Sequence, residues 1–139
     1  MRFLLDTNLI SELLRPVPNN GVVAWFAAAD EADTYLSVVT MAELRHGTER
    51  LPVGRRRHQL EFWLDQQAPR RFYRRTLIVD KTVADAWGRV MARRDAAGRP
   101  FAPMDGFLAA TCVVHGLALV TRNVADFVGS VERIVNPWK

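Results

Sequence analysis

Three consecutive apolar residues, Phe3-Leu4-Leu5, lead into a carboxylate at Asp6, after which Leu9, Ile10, Leu13 and Leu14 follow at helical spacing. An apolar run without polar alternation is the pattern of a strand buried on both faces, which requires helices packed over both sides of a sheet. The same succession recurs along the chain. Thr34–Val38 reads as a second strand and Leu77-Ile78-Val79 as a third. Leu117–Thr121 reads as a fourth, and Val131–Val135 is expected to add an edge strand. Between them lie helical patterns, among them Val83, Ala84, Trp87, Val90 and Met91 on one face and the almost wholly apolar Phe107–Val114. Strands alternating with helices predict an α/β fold, an α/β/α sandwich around a mostly parallel sheet of four to five strands. In such sheets ligands gather beyond the carboxyl ends of the strands.

Local signals place the helix ends. Pro16 and Pro18 break the chain after the first helix, and Asn19 or Asn20 caps a second one carrying Val22, Val23 and Phe26. Thr40-Met41-Ala42-Glu43 has the form of a capping box opening a third helix through about Arg50. A basic helix is expected from Arg55 to Gln67, Asp80 caps the next, and Gly116 ends the apolar one. The 139 residues suit one domain, and 49% apolar residues supply its core. Cys112 is the one cysteine, which excludes an intramolecular disulfide, and its apolar neighbours make it a small buried hydrophobe. The early carboxylate leaves no room for a signal-peptide core or membrane span, so a cytoplasmic location is expected.

Lys and Arg outnumber Asp and Glu by 19 to 15, and the arginines are clustered. Arg55, Arg56 and Arg57 are adjacent, Arg70, Arg71, Arg74 and Arg75 surround Phe72 and Tyr73, and Arg93, Arg94 and Arg99 follow. Basic clusters with interleaved aromatics suit a nucleic acid, with Arg55, Arg56, Arg57, Arg71 and Arg74 as candidate RNA contacts. Solvated helix faces, or docking of an acidic partner, are the alternatives.

Four acidic residues stand at element junctions: Asp6 after the first strand, Glu43 opening the third helix, Asp105 opening the apolar helix, and Asp126 past the fourth strand. Each alone has an ordinary role as a cap, a capping-box partner, a dipole complement or a turn former. Brought into one crevice they would repel one another and raise each other's pKa unless a cation intervened. Oxygen ligands without Cys or His select Mg²⁺ or Mn²⁺. His46, His58 and His115 lie in surface or helix-packing contexts, and no nucleophile elbow, P-loop or dinucleotide fingerprint is present.

The ordered set of motifs resembles the PIN-domain ribonucleases, specifically VapC-type toxins of the FitB-like group. It is carried by Leu4-Leu5-Asp6-Thr7-Asn8 with Ile10-Ser11-Glu12, Tyr35-Leu36-Ser37, and Ala42-Glu43-Leu44-Arg45-His46-Gly47. Met104-Asp105-Gly106-Phe107-Leu108-Ala109-Ala110-Thr111, Leu119-Val120-Thr121-Arg122-Asn123 and Asn136-Pro137-Trp138 complete it, so it spans essentially the whole chain. The resemblance implies a sheet of order roughly 3-2-1-4-5 and Mg²⁺- or Mn²⁺-dependent cleavage of RNA. It also implies a cognate antitoxin and a homodimer or higher toxin–antitoxin assembly. Carried over, Asp6, Glu43 and Asp105 are metal ligands, Thr7 and Thr121 supporting hydroxyls, and Asn8 the polar neighbour of the first aspartate. The fourth acid departs from the pattern. Many relatives have an aspartate where this chain has Asn123; others share the Thr-Arg-Asn-Val-x-Asp-Phe form that reaches Asp126.

Two other readings use the same residues. A haloacid-dehalogenase-like phosphotransferase also closes its first strand with aspartate, but needs a second acid where Asn8 stands. A PIN-fold module of weak activity would bind nucleic acid or antitoxin without turning over.

Overall fold

The computed structural model describes residues 1–139. Its sheet has five parallel strands in the order β3-β2-β1-β4-β5: β1 Phe3–Leu5, β2 Thr34–Ser37, β3 Thr76–Leu77, β4 Ala118–Val120 and β5 Ile134–Val135. Alternation along the central strands builds two cores. Leu4 and Leu119 face one side with Val90, Leu108, Ala109, Cys112 and Phe127. Leu5, Leu36 and Val120 face the other with Leu9, Ile10, Val22, Trp63, Leu64 and Phe72. Successive side chains of a strand point to opposite faces, so runs as short as Leu4-Leu5 serve both layers. The expected sandwich, and the strand order implied by the resemblance, are both present.

The first side is covered by α6 (Lys81–Ala96) and α7 (Pro103–His115). The Trp87 and Phe107 rings stack between them at 5.0 Å, and Asp80 caps α6 by accepting from the Val83 N–H at 2.9 Å. The second side is covered by α1 (Thr7–Leu13), α2 (Asn20–Ala28) and the π turn that follows α4 (Arg55–Phe62). α4 widens into a π turn at Trp63–Gln67 and continues as α5 (Ala68–Arg71). Asn19 is the cap of α2, taking hydrogen bonds from Gly21 and Val22. Cys112 is buried, and burial pushes its thiol pKa far up, as expected of a packing residue. No helix is long and apolar enough to cross a membrane.

Three boundaries differ from expectation. α3 spans Val38–Glu49 with Ser37, not Thr40, as its cap: the Ser37 hydroxyl accepts from the Val39 N–H at 3.0 Å. Thr40 is therefore buried inside the helix, and Glu43 lies in its second turn rather than closing a capping box. The second strand consequently stops at Ser37. The third then stops at Leu77, whose partner is Ser37, and Ile78 is left 65% exposed. An edge strand ends where its only neighbour turns into helix. The fifth strand is likewise confined to Ile134–Val135, opposite the last two residues of β4.

Candidate active site

β1 is central, and the chain departs from it first towards β2 and β3, then returns to place β4 on its other side. The crevice of such a sheet opens at the carboxyl ends flanking this reversal, here those of β1 and β4. Asp6 is the residue after β1 and Thr121 the residue after β4. The Asp6 N–H donates to the Val120 carbonyl at 3.0 Å, which fixes it against the end of β4.

The Asp6 carboxylate is 5% exposed and accepts a hydrogen bond on Oδ2 from the Thr121 hydroxyl at 2.7 Å. The direction of that bond is set by its surroundings. Asn8 Nδ2 and the Asn123 N–H both donate to Thr121 Oγ1, at 3.2 and 3.0 Å. A hydroxyl has two acceptor lone pairs and one proton, so the proton is left for Asp6. Asn8 is itself oriented, because its Oδ1 takes the Arg122 N–H at 3.4 Å. The roles assigned to Thr121, Asn8 and Asn123 thus form one connected network that aims a single donor at Asp6.

A second hydroxyl serves Glu43. Thr7, the first residue of α1, donates to Glu43 Oε1 at 2.6 Å, a charge-assisted bond, and its oxygen lies 3.1 Å from the Thr40 hydroxyl. Thr40 is buried because α3 starts two residues before it, and that early start carries Glu43 to α1.

Asp105 sits in the first turn of α7, where the helix N-terminus favours a carboxylate. Its neighbour Gly106 permits the approach of α6: a Cβ there would lie 2.5 Å from Met91 Sδ and 2.9 Å from Trp87 Nε1. Asp6, Glu43 and Asp105 line one crevice. Asp6 is raised to about 6, first by burial and then by the charges of Asp105 and Glu43, against the Thr121 hydrogen bond and the Thr7 N–H, which lower it. Asp105 is raised too, by burial and by the charges of Glu43 and Asp126. No Lys or Arg forms an ion pair with any of the three. The donor set is therefore anionic oxygen with uncompensated charge, which suits a hard divalent cation. The three carboxylates line one crevice and act on one another's charge, but they do not stand close enough together to form a ready-made metal-holding group. Repulsion between them opposes closer approach.

The fourth position divides in two. Asn123 lines the crevice, whereas Asp126 lies on α8 (Val124–Phe127), exposed and outside the lining, its charge acting on Asp105. Of the five arginines singled out as RNA contacts, only Arg56 reaches the crevice. Arg57 is tied to Glu49 at 2.6 Å and Glu61 at 2.8 Å, and Arg71 pairs with Glu31. Arg74 lies over the Tyr73 ring, and Arg55 is exposed at the start of α4. Clustering in sequence does not fix the face on which a helix displays its arginines, and of these five Arg56 alone lines this crevice.

Arg15, Arg122 and Trp138, to which the sequence assigned no site role, also line the crevice. Part of the signal was there. Thr7, Ser11 and Arg15, spaced at four residues, mark a polar stripe that runs along α1 and just past its end.

The PIN domain family model matches residues 3–127. The chain is 39% identical over 135 residues to Toxin FitB of Neisseria gonorrhoeae, covering 97% of each chain. It is 35% identical over 136 residues to the VapC ribonuclease Y4jK of Sinorhizobium fredii, covering 98% of this chain and 97% of that one. Among solved structures, FitAcB from Neisseria gonorrhoeae superposes with a TM-score of 0.91 at 39% identity over 98% of both chains. VapBC2 from Rickettsia felis, solved bound to a DNA fragment from its promoter, shares the fold with a TM-score of 0.79 at 17% identity over 100% of both chains. The sheet order, the three carboxylates beyond its central strands and these full-length relatives agree: the chain belongs to the PIN-domain family, in its FitB/VapC group.

Proposed function

We propose that the protein is a Mg²⁺- or Mn²⁺-dependent endoribonuclease that acts as the toxin of a toxin–antitoxin pair. The observation carrying the chemistry is the meeting of Asp6, Glu43 and Asp105, from three distant segments, in one crevice without a cationic partner. A relative named as a VapC ribonuclease and relatives solved as FitAB and VapBC complexes support RNA as substrate and an antitoxin as partner. Assembly of the toxin and antitoxin into a larger complex follows from the same relatives.

In this reading Asp6 and Asp105 hold the cation, with Glu43 beside it. A divalent ion bound there supplies charge stabilisation for the phosphate oxygens and a more acidic water. Thr121 holds Asp6 through Oδ2, and the carboxylate lone pairs taken by neither this hydroxyl nor the Thr7 N–H remain to ligate. Thr7 occupies Glu43 Oε1 and so leaves Oε2 to orient the attacking water and take its proton. Asn123 contributes an uncharged amide to the crevice wall, and Asp126 adds negative field from outside it. Water is the nucleophile, so no covalent intermediate forms. A phosphotransferase would need a carboxylate where Asn8 instead donates its amide to Thr121.

The direct test is calorimetric titration of the purified chain with Mn²⁺, alongside cleavage of a single-stranded RNA with and without chelator. Binding of the ion and chelator-sensitive cleavage are expected, as is growth arrest when the chain is expressed alone. Absence of both binding and cleavage would remove the enzymatic reading.

The Thr121 network offers a separate check. Thr121→Val keeps the shape but strips Asp6 of its hydroxyl donor and leaves the Asn8 amide without its acceptor. Groups that orient a ligand commonly contribute about 10–100-fold to metal affinity. Mn²⁺ affinity measured by calorimetry should fall within that range, and an unchanged value would show that the hydroxyl does not support the site.

A further inference from the structure

The crevice that holds the three carboxylates is also lined by cationic side chains: Arg15, Arg56 and Arg122, together with Trp138. None of the three guanidinium groups is spent on a catalytic carboxylate. Arg15 is held by Glu12 at 3.3 Å, Arg56 donates to the Leu14 carbonyl at 2.6 Å, and Arg122 lies over the Trp138 ring at 5.9 Å. Each arginine is thus steadied by one contact and keeps further N–H donors for another ligand.

Trp138 is steadied in turn by a clasp between the C-terminal residues and the start of α2. Asn19 Nδ2 donates to the Lys139 carbonyl at 2.7 Å, and the Lys139 N–H donates back to Asn19 Oδ1 at 3.2 Å. The fit is tight: a Cβ on Gly21 would lie 2.3 Å from the Pro137 carbonyl oxygen. Glu12, 7% exposed, accepts from the Asn19 N–H at 2.9 Å and holds Arg15. The Trp138 indole N–H is buried close to Glu12, in a geometry short of a hydrogen bond. A single cluster, Glu12, Asn19 and Trp138, therefore sets both Arg15 and Arg122.

We propose that Arg122 and Arg15, with Arg56, hold the phosphates flanking the scissile one in single-stranded RNA, and that Trp138 positions Arg122 for this from the C-terminal clasp. The proposal rests on the nuclease reading for the place of the scissile phosphate. A phosphodiester chain crossing the carboxylates needs its neighbouring negative charges met, and planar guanidinium groups match phosphate oxygens in pairs. The last residues of the chain thereby become part of the substrate track, although they lie far in sequence from every carboxylate.

Binding of a fluorescent single-stranded RNA is measured as a function of salt, without added metal, in full-length protein carrying Asp6→Asn. Each lost phosphate contact should lower the salt slope of log K by about 0.7 for a single strand. Arg122→Ala and Arg15→Ala are each expected to show that decrease, with roughly tenfold weaker binding for a charge-assisted contact. Arg122→Lys should restore the slope. Trp138→Ala should reproduce the Arg122→Ala slope and Trp138→Phe should not, whereas Arg89→Ala, on α6 outside the crevice, should leave it unchanged. Unaltered slopes in both Arg122→Ala and Arg15→Ala, in protein whose melting is unchanged, would overturn the proposal. Because cleavage is not the readout, failure of the nuclease reading would show separately, as a wild-type chain that binds RNA along this track and does not cut it.

Discussion

Asp6→Asn should reduce metal-dependent RNA cleavage by about a thousandfold or more while making the metal-free protein harder to melt. Under the proposed mechanism the loss follows from removing one charge that would hold the cation, where metal stabilisation of phosphate amounts to several kcal/mol, each 1.4 of which is about tenfold in rate. The gain follows from burial. Asp6 titrates at about 6 in the folded chain against an ordinary 3.8, because desolvation and the neighbouring carboxylates penalise its charge. The unfolded chain therefore gives up this proton more readily than the folded one. The associated stability is complete below the unfolded value, is lost as pH rises to about 6, and stays lost above it. The difference corresponds to about 3 kcal/mol at full strength, and to about 2 kcal/mol once solvent reaching through the open crevice is allowed for. Asparagine escapes that penalty, so at about pH 8 the melting temperature should rise by roughly 4–8 °C. The difference should shrink as pH falls from about 6 towards 3.8 and vanish only below that, where Asp6 is protonated in the folded and the unfolded chain alike. Mn²⁺ affinity of the unsubstituted chain should weaken as pH falls through about 6, because the ion competes with the Asp6 proton. Thermal melts at about pH 8 and at a pH below 3.8 check the balance. A variant that cleaves at the parent rate, or melts lower at about pH 8, contradicts the placement of Asp6 as a strained ligand.

Gly106→Ala should unfold the site from behind. The added methyl would meet Met91 Sδ at 2.5 Å, which a flexible thioether relieves by rotating, and Trp87 Nε1 at 2.9 Å, which is far less free to move. That indole donates to the Pro103 carbonyl at 3.0 Å and stacks on Phe107, so moving it disturbs both the first turn of α7 and the packing of α6 on α7. Overpacking of this kind costs about 1–3 kcal/mol. The melting temperature should drop by roughly 3–9 °C, and Mn²⁺ affinity should fall as Asp105 shifts with its helix turn. Unchanged melting would mean that α6 and α7 slide apart at little cost.

Much of this arrangement was legible before the fold. Phe3-Leu4-Leu5 gave away a doubly covered strand, Asn19 and Asp80 their helices, and the motif order around Asp6, Glu43 and Asp105 the family. The misreadings share one cause. Thr40-Met41-Ala42-Glu43 looks like a helix start because the capping pattern is local, yet Ser37 captures the Val39 N–H first and the helix begins early. Ile78 and Val79 look like strand because they are apolar and β-branched, yet β2 offers no residue past Ser37 for them to pair with. Whether a residue pairs is decided by its neighbour, and its neighbour comes from elsewhere in the chain.

The amino-acid pattern by itself determined the layers, because strand and helix periods are properties of adjacent residues, and it determined which side chains carry negative oxygen. Tertiary structure alone decided that Thr7 serves Glu43, that Thr121 spends its one proton on Asp6, and that Arg15, Arg122 and Trp138 share their crevice while Arg57 and Arg71 are tied up in ion pairs. Hydrogen-bond saturation and charge repulsion depend on distances of a few ångströms between segments more than a hundred residues apart, and only the folded sheet sets those distances.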